Sequence, residues 1–378
     1  MKKTYIQHLS ICLAVLSVLF IASCKKDDIK LAAPKLLNIS TIKKLDSVIY
    51  EGNMGDWIAI HGTSLASITE IRLNDVPVDL EEMYEENGVV YLQIPVKLPI
   101  EITNKLYLKT SAGETEIPFT VNSPALELTG MFNEYTPPGD TIRIYGKFLK
   151  LYEVDASNSV VLFGDKESPV ITATDNYITV KVPVTVQQNV KVKLVNNNYN
   201  AEAVCLVYYQ DKIHVITSFD SDFPYTSSTG QQWVGEWPDP KPISGKYIRF
   251  EVDQQRYPSG LGWFYLMENS YNYQLDMIQH PENYVLKFEL NMALPIRKTN
   301  FFIYYYWAVA PTAIGGDVFT VQNLGRWQTL SIPLEKIIPM GNTGTSTSFS
   351  LNFRVENYAP VEQVAMYFDN FRIYKKGE

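Results

Sequence analysis

Hydrophobic and polar residues alternate in short runs along most of the chain from residue 33 onward. The clearest runs are residues 55–62 (GDWIAIHG) and 139–146 (GDTIRIYG), in which Ile-x-Ile is enclosed by glycines. Alternation with period two over so few residues is typical of β-strands that are buried on one face. The pattern therefore predicts an all-β protein.

The two glycine-enclosed runs belong to an internal repeat. They lie 84 residues apart, and further along residues 91–95 (YLQIP) and 179–183 (TVKVP) lie 88 residues apart. Repeats of this length that consist of short strands and turns are typical of small β-sandwiches. The sequence predicts two such domains in series, residues 33–122 and residues 123–209.

Residues 210–378 are predicted to form a third, larger all-β domain. Proline and glycine clusters separate its strand-like runs, and only Leu334–Ile338 indicates a helical turn. The strand-like runs are Lys246–Val252, Gly262–Met267, Tyr284–Leu290, Asn300–Val309, Trp327–Pro333, Ser348–Glu356 and Gln363–Tyr374. Seven or more strands in a domain of this size fit a jelly-roll β-sandwich of two sheets.

The N-terminus has the pattern of an export signal. Lys2 and Lys3 precede an almost wholly apolar run, Ile11–Ala22, and Cys24 follows directly after small residues. An apolar core of about 7–15 residues describes a cleavable signal, since a transmembrane helix needs about 20. Residues 20–24 (FIASC) resemble the lipobox of bacterial lipoproteins, in which the cysteine is acylated and becomes the first mature residue.

The lipobox resemblance implies how the N-terminal segment is used. Residues 1–23 would be a lipoprotein signal peptide, Cys24 would carry the lipid, and residues 24–32 would link the anchor to the first domain. Two or three acyl chains hold a protein stably at a membrane where one chain would not. Residues 25–28 (KKDD) resemble the signal that sends some lipoproteins to the outer face of the outer membrane. The alternative is an ordinary secretory signal that happens to contain a cysteine.

Charge and cysteine content exclude several classes of partner and structure. The formal net charge is −8, and it becomes −10 if Lys2 and Lys3 leave with the signal. Such an acidic chain, without a block of basic residues, is a poor partner for nucleic acid or for anionic lipid. Of the three cysteines, only Cys24 and Cys205 would remain after cleavage, so no disulfide framework is expected.

Aromatic residues are concentrated in the terminal domain. Residues 211–378 hold 30 of the 48 aromatic residues, and five of the six tryptophans. A sugar ring stacks its C–H face on an aromatic plane, and Tyr and Trp offer large contact areas at a low cost in side-chain entropy. Five tryptophans are more than a core of this size needs. We therefore expect some of them to be exposed and to form a platform for a glycan.

Family resemblances extend this interpretation. The Gly-x-x-Ile-x-Ile-x-Gly strands of residues 33–209 resemble the IPT/TIG family of immunoglobulin-like domains, most of which are spacers. Residues 325–334 (GRWQTLSIPL) and 366–374 (MYFDNFRIY) resemble the late strands of carbohydrate-binding jelly rolls. Together with the lipobox, this order of domains is similar to that of surface glycan-binding lipoproteins of polysaccharide-utilisation systems, whose terminal domain is of the xyloglucan-binding type.

The resemblance to this family implies a location and partners. The protein would be lipid-anchored at the outer membrane and would face the cell exterior. It would capture a plant-type or other polysaccharide for a neighbouring starch-type transporter complex. It would not be an enzyme, and it would not bind nucleic acid.

The candidate platform consists of Trp263, Tyr306 and Trp307. Trp263 follows glycines at a predicted turn, and Tyr306 and Trp307 close the run 301–307 (FFIYYYW), in which alternation makes both faces aromatic. In the resembled family a Tyr-Trp pair and a second Trp form the platform, and these three residues match that description. Trp327, within a predicted strand, is expected in the core.

Further candidates lie in loops and at the ends of strands. Trp233 and Trp237 lie in a polar, proline-rich loop, where they would either contact glycan or cover the core as plugs. Tyr271 is a candidate of the same kind. Many sugar-binding jelly rolls hold one structural calcium between their first and last strands, which implies a site at Asp220 and Asp369. A salt bridge or a turn cap is the alternative role for these two acids.

Two other functions remain open from the sequence. A glycoside hydrolase needs two carboxylates about 5–9 Å apart, and no acid of the terminal domain lies in a recognised catalytic motif. The chain also lacks the common metalloprotease, serine-hydrolase and phosphate-loop motifs. A hydrolase, and a structural or adhesive lipoprotein without a sugar platform, are the alternatives to a glycan-binding protein.

Overall fold

A computed structural model provides the structure of the chain. It describes residues 32–225, 227, 230–272, 274–297, 299–305, 312–314, 323–338, 340–341 and 348–377. The chain divides into two compact units, Met1–Ser123 and Pro124–Glu378. Among the described residues, no helix is both long enough and apolar enough to cross a membrane.

The first unit is a β-sandwich. Its strands are β1 (Lys35–Thr41), β2 (Lys44–Val48), β3 (Glu51–Asn53), β4 (Trp57–Thr63), β5 (Ile68–Leu73), β6 (Val76–Pro77), β7 (Tyr84–Glu86), β8 (Val89–Gln93), β9 (Lys105–Thr110), β10 (Gly113–Pro118) and β11 (Thr120–Asn122), with a 3₁₀ turn at Leu80–Glu82. One sheet has the order β2-β1-β4-β8-β7, the other has the order β10-β9-β5-β6, and β3 and β11 pair in parallel. Ile58 and Ile60 of β4 lie in the core, as their alternation predicts.

The second repeat begins the second unit. Its strands are β12 (Glu127–Met131), β13 (Thr141–Lys147), β14 (Ser159–Phe163), β15 (Lys166–Ala173), β16 (Tyr177–Lys181), β17 (Val190–Asn196) and β18 (Ala201–Tyr209). They hydrogen-bond in the order β12-β13-β16-β15-β14-β17-β18. Ile142 and Ile144 of β13 are buried, at positions equivalent to Ile58 and Ile60.

A matching pair of glycines makes the same close contact in the two repeats. A Cβ atom on Gly62 would lie 2.5 Å from the carbonyl oxygen of Lys35, and one on Gly146 would lie 2.6 Å from that of Glu127. Gly62 lies in β4, which pairs antiparallel with β1. Gly146 lies in β13, which pairs antiparallel with β12. Because the close contact is to backbone in both repeats, a side chain cannot be accommodated by a rotamer change.

The terminal domain is a sandwich of two sheets. Its strands are β19 (Val215–Thr217), β20 (Val234–Gly235), β21 (Tyr247–Val252), β22 (Gly260–Asn272), β23 (Tyr284–Met292), β24 (Asn300–Tyr305), β25 (Thr312–Ile314), β26 (Gln328–Pro333), β27 (Ser348–Tyr358) and β28 (Val364–Lys375). Its helical elements are α1 (Leu275–Gln279) and the 3₁₀ turns Gln231–Trp233, Pro281–Asn283 and Leu334–Lys336. One sheet has the order β20-β21-β28-β23-β26, with β19 also paired to β28, and the other has the order β22-β27-β24-β25.

The core of the terminal domain lies between these sheets. Phe250, Phe288 and Phe368 of the first sheet and Phe353 of the second are buried in it. Over the described residues, each predicted run contains a strand of this two-sheet sandwich, which confirms the all-β fold class. The predicted helical turn is the 3₁₀ turn at Leu334–Lys336.

A buried polar interface joins the second repeat to the terminal domain. Glu134, in the loop after β12, accepts a hydrogen bond from Arg372 of β28 at 2.6 Å and another from Lys287 of β23. Arg372 also donates to Glu289 at 2.7 Å. Thr329 of β26 donates its backbone N–H to the carbonyl oxygen of Phe132 at 2.9 Å. These four charged groups are buried, and each charge has an opposite partner.

Candidate functional site

Four aromatic residues form a cluster on the outer face of the first sheet of the terminal domain. Trp237, Tyr247, Trp327 and Tyr367, here called the aromatic cluster, all meet at the Tyr247 ring. Its centroid lies 5.2 Å from that of Trp237, 5.5 Å from that of Trp327 and 6.1 Å from that of Tyr367, each in an edge-to-face arrangement. Both tryptophans are half-buried, so part of each indole faces solvent.

Strand β21 explains why the cluster faces outward. Its residues alternate, with Ile248 and Phe250 in the core and Tyr247 and Arg249 on the opposite face. Burial raises the pKa of Tyr247 to about 12, so its hydroxyl stays protonated and donates to the carbonyl oxygen of Pro240 at 3.0 Å. The alternation within YIRFEV is the sequence signal that would have identified Tyr247 as an outward residue.

Polar groups border the aromatic cluster. Arg249 pairs with Glu251 at 2.8 Å, and its guanidinium carbon lies 5.8 Å from the Trp237 ring centroid. Glu251 also accepts a hydrogen bond from the Tyr367 hydroxyl at 2.9 Å. An aromatic surface bordered by a guanidinium and a carboxylate has the groups that a sugar ring and its hydroxyls require.

Trp327 does not lie in the hydrophobic core, so that prediction is wrong. Its indole N–H donates to the carbonyl oxygen of Lys241 at 2.9 Å, and its ring packs on Tyr247. The cause is the register of β26, in which Gln328 and Ile332 face inward. Trp327, one residue before Gln328, lies on the opposite face.

Trp233 and Trp237, from the same loop, have different environments. Trp233 is 7% exposed and packs edge-to-face on Phe250, with 5.1 Å between the ring centroids. It belongs to the core of the terminal domain, which is the plug role left open by the sequence. Trp237 instead lies half-buried in the aromatic cluster. A glycan contact is therefore compatible with Trp237 and not with Trp233.

Of the predicted platform residues, Trp263 lies on the second sheet of the terminal domain. Trp263 and Tyr271 lie on β22, where their backbones are described, and β22 pairs with β27. Strand β24 pairs with β27 from the other side. Tyr306 and Trp307 follow β24 and lie outside the described residues.

Two charged residues of β27 lie between β22 and β24. Arg354 and Glu356 form an ion pair at 2.6 Å, and their side chains are 22% and 18% exposed. They alternate with Phe353 and Val355, which lie in the core, so the ion pair occupies the outer face of this sheet. In register, the backbone of Trp263 lies opposite Glu356, and that of Phe302 lies opposite Arg354.

Asp369 and its neighbour Asn370, in the last strand of the terminal domain, β28, are fully buried. One carboxylate oxygen of Asp369 accepts the Asn370 N–H at 2.7 Å, and the other has no hydrogen-bond partner among the described residues. Neither the oxygen nor the nitrogen of the Asn370 side-chain amide has a hydrogen-bond partner among the described residues. Burial, followed by the charges of Glu289 and Asp220, holds the pKa of Asp369 well above its usual value.

Asp220 caps a turn, which is the alternative role that the sequence left open. It accepts hydrogen bonds from the Ser244 hydroxyl at 2.9 Å and from the Lys246 N–H at 2.7 Å. Two carboxylates and an amide oxygen are ligands that suit Ca²⁺, although a complete shell takes six to eight oxygens. Among the described residues, no group of three or more His, Cys, Asp or Glu could hold a metal ion.

Two family models match the chain. Residues 208–375 match the surface glycan-binding protein B xyloglucan-binding domain. Residues 126–209 match the IPT/TIG domain, which agrees with the predicted identity of the second repeat. A search of curated proteins found no match.

Solved structures of two surface glycan-binding proteins are similar to the chain. PbSGBP-B from Prevotella bryantii is 16% identical, with a TM-score of 0.57 over 91% of this chain and 99% of that chain. SGBP-B from a complex xyloglucan utilization locus in Bacteroides uniformis is 16% identical, with a TM-score of 0.49 over 91% of this chain and 100% of that chain. At this identity, the similarity to PbSGBP-B shows a shared fold.

Proposed function

We propose that this protein holds polysaccharide at the cell surface, because residues 208–375 match the model of the surface glycan-binding protein B xyloglucan-binding domain. The family match, which spans nearly all of the terminal domain, is the observation that carries the proposal. The concentration of aromatic residues in the same region supports it. The proposed ligand class is xyloglucan or a polysaccharide with a similar backbone, since the family description names xyloglucan.

The proposed platform uses Trp263, Tyr306 and Trp307, with Tyr271 as a further candidate. The backbone of Trp263 lies opposite Glu356, whose side chain is on the outer face of the second sheet. The pairing of β22 and β24 with β27 supports this platform, because the aromatic segments then lie on both sides of one strand. Residues opposite each other in an antiparallel pair share a face. The partner of Trp263 is Glu356, whose ion pair with Arg354 could offer hydrogen bonds to sugar hydroxyls.

We further propose that lipid on Cys24 anchors the protein at the outer membrane, facing outward, beside a starch-type transporter that takes up the captured glycan. The support is the lipobox-like segment and the family's description as surface proteins. The segment itself, residues 1–31, lies outside the described residues. In this role the repeats act as spacers between anchor and binding domain.

Isothermal titration of residues 25–378 with xyloglucan oligosaccharides tests the function. Saturable binding without release of reducing ends supports a binding protein. Release of reducing ends from the polysaccharide would instead establish the hydrolase alternative. Neither binding nor release, for xyloglucan and related polysaccharides, would leave the structural or adhesive alternative.

A structural calcium ion is a second proposal, and the buried Asp369 and Asn370 oxygens without partners favour it. Asp220 would contribute the second carboxylate, and backbone carbonyls would complete the shell. The ion would tie the first strand of the terminal domain to the last, since β19 pairs with β28. It would favour the ionised form of Asp369, whose pKa burial raises well above its usual value.

Thermal unfolding in CaCl₂ and in EDTA tests this proposal. Calcium should raise the melting temperature of the wild type, and Asp369→Asn should remove that increase. Asp253→Asn is the matched control, because Asp253 is half-buried and caps a turn by accepting the Arg256 N–H at 2.7 Å. Equal melting temperatures of the wild type in the two solutions would contradict the proposal.

A further inference from the structure

A groove on the first repeat has the features of a second glycan contact. It has a volume of about 540 Å³, which is within the range of ligand sites in proteins, and it lies at the start of β4, beside β3. Trp57 forms its aromatic wall, and Glu51, Asn53, Asp56 and Asn122 provide carboxylate and amide groups. Trp57 is the sole tryptophan of the chain outside the terminal domain.

Trp57 is not required by the core of the repeat. It is half-buried, whereas the next residue, Ile58, is 1% exposed. Its ring contacts Tyr84, with 5.9 Å between the centroids, and Tyr84 is itself 64% exposed. Two large aromatic side chains that meet on an open surface are typical of an interaction site.

The second repeat shows that the fold does not need an aromatic residue here. Thr141 occupies the position equivalent to Trp57, between the equivalent Gly-Asp pair and the buried isoleucines. The backbone geometry of the two repeats agrees at Gly62 and Gly146. The equivalent strand of the second repeat forms with threonine at this position, so Trp57 is not needed for the strand to form.

The polar side of the groove is held in place by local hydrogen bonds. Asp56 accepts from the backbone N–H and the side-chain amide of Asn53, at 2.8 Å and 3.0 Å. The Gly55 N–H donates to the carbonyl oxygen of Ile94 at 2.9 Å, and Gln93 donates to the carbonyl oxygen of Gly55 at 2.7 Å. A fixed groove loses little freedom when it binds, which favours affinity for a weakly held sugar.

A second groove of the same repeat lacks this combination. The groove beside Tyr107 encloses about 260 Å³, and its lining is mostly charged. Its charges pair with each other, Glu70 with Arg72 and Lys109 with Glu114, and the Arg72 guanidinium lies 3.7 Å from the Tyr107 ring centroid. The Arg72 guanidinium therefore covers the Tyr107 ring, whereas the Trp57 ring lines an open groove.

We propose that the Trp57 groove binds sugar units of the same polysaccharide that the terminal domain binds. The proposal extends the proposed function and rests on it for the class of ligand. Trp57, continued by Tyr84, stacks on the C–H face of a sugar ring, and the carboxylates and amides of the groove accept or donate hydrogen bonds to its hydroxyls. The first repeat is then a binding domain as well as a spacer.

Nuclear magnetic resonance of the tryptophan side chains tests the site directly. Residues 25–378, labelled with ¹⁵N-tryptophan, are titrated with a xyloglucan oligosaccharide, and Trp57→Thr assigns the Trp57 indole signal. We expect this signal to shift saturably, in the wild type and equally in Trp263→Ala. A fixed Trp57 signal while other indole signals move would overturn the inference and leave the proposed function intact. No movement of any indole signal would contradict both.

Affinity electrophoresis in xyloglucan provides the second measurement. Trp57→Thr should weaken apparent binding by roughly tenfold, as expected for loss of an aromatic anchor. Tyr107→Thr is the matched control, since it removes a half-buried aromatic residue of the same repeat outside the groove, and it should bind as the wild type does. Unchanged melting temperatures would show that both variants fold. Equal retardation of Trp57→Thr and the wild type would overturn the inference.

Discussion

At the scale of residues, the tryptophans of the terminal domain have distinct environments, and truncating them should have distinct effects. Trp233 lies in the core against Phe250, and Trp237 and Trp327 lie half-buried in the aromatic cluster. Trp263 is proposed to lie on the binding face. A tryptophan in the core stabilises the folded protein, whereas an exposed tryptophan on the binding face mainly stabilises the complex with glycan.

The platform prediction contrasts Trp263→Ala with Trp233→Ala. Trp263→Ala, like Trp307→Ala and to a lesser degree Tyr306→Ala, should weaken glycan binding by about thirtyfold, or 2 kcal/mol, with little loss of stability. Trp233→Ala should cost about 3–5 kcal/mol of unfolding free energy. Isothermal titration and melting temperatures of these variants check both effects. Unfolding of the domain by Trp263→Ala would place that residue in the core.

A pH prediction follows from the burial of Asp369. Burial holds the pKa of Asp369 well above its usual value in the folded protein, while the unfolded chain keeps a pKa of about 4. The folded state therefore binds this proton more tightly, so the stabilisation is complete below pH 4 and is lost as pH rises through the folded pKa. In EDTA, the unfolding free energy of the wild type should fall as pH rises from about 4 through the folded pKa of Asp369. Asp369→Asn should reduce this fall.

Denaturant titrations at a series of pH values measure that effect. The raised pKa of Glu289, caused first by burial, has the same sign, so the comparison of Asp369→Asn with the wild type isolates Asp369. Identical pH profiles for the two proteins would contradict the assignment. Saturating calcium should raise the unfolding free energy of the wild type at neutral pH. It should not do so in Asp369→Asn.

The sequence contained part of this residue-level information. Counting back by twos from Ile332 gives Leu330 and Gln328, which leaves Trp327 on the opposite face of β26. The alternation was therefore sufficient to place Trp327 outside the core. For Trp233 it was not, because its burial depends on a contact with Phe250, which is distant in sequence and on another strand.

At the scale of elements, strands were predictable and the interface between domains was not. The predicted run Tyr284–Leu290 corresponds to β23, and Lys246–Val252 corresponds to β21, because alternation is a local signal. Glu134 and Arg372 are 238 residues apart, so no local pattern could show that they pair. Residues 210–378 alone would lack Glu134, and we expect them to be less stable than residues 124–378.

Glu134→Gln tests the interface. It leaves Lys287 buried without its charged partner, and breaking a buried pair costs about 3–5 kcal/mol of unfolding free energy. Glu127→Gln is the matched control in the same repeat, because its partner Lys147 is exposed, and it should cause no measurable change. Chemical denaturation measures both variants. Equal stability of the two would mean that the interface contributes little.

At the scale of the whole molecule, each part of the chain has a proposed role. We propose that lipid on Cys24 anchors the protein, that the repeats act as spacers and that the terminal domain binds glycan, with an additional contact at Trp57. The family matches support the order of the second repeat and the terminal domain. The identity of the glycan depends on hydroxyl contacts made by residues far apart in sequence, which no linear pattern could specify.

The anchoring prediction concerns Cys24→Ala. The variant should be found free of the membrane, because acylation of Cys24 is the proposed attachment. Phase partitioning in a detergent measures this, with the wild type expected in the detergent phase. A Cys24→Ala protein that remained in the membrane fraction would contradict the prediction. Protease treatment of intact cells should degrade the wild type if it faces outward.

Affinity electrophoresis of residues 25–378 against a panel of polysaccharides tests the central claim most directly. The panel includes xyloglucan, other β-glucans and mannan, and a gel without polysaccharide gives the reference migration. The account predicts retarded migration in xyloglucan or a polysaccharide with a similar backbone, without release of reducing ends. Unchanged migration in every gel, or release of reducing ends, would contradict it.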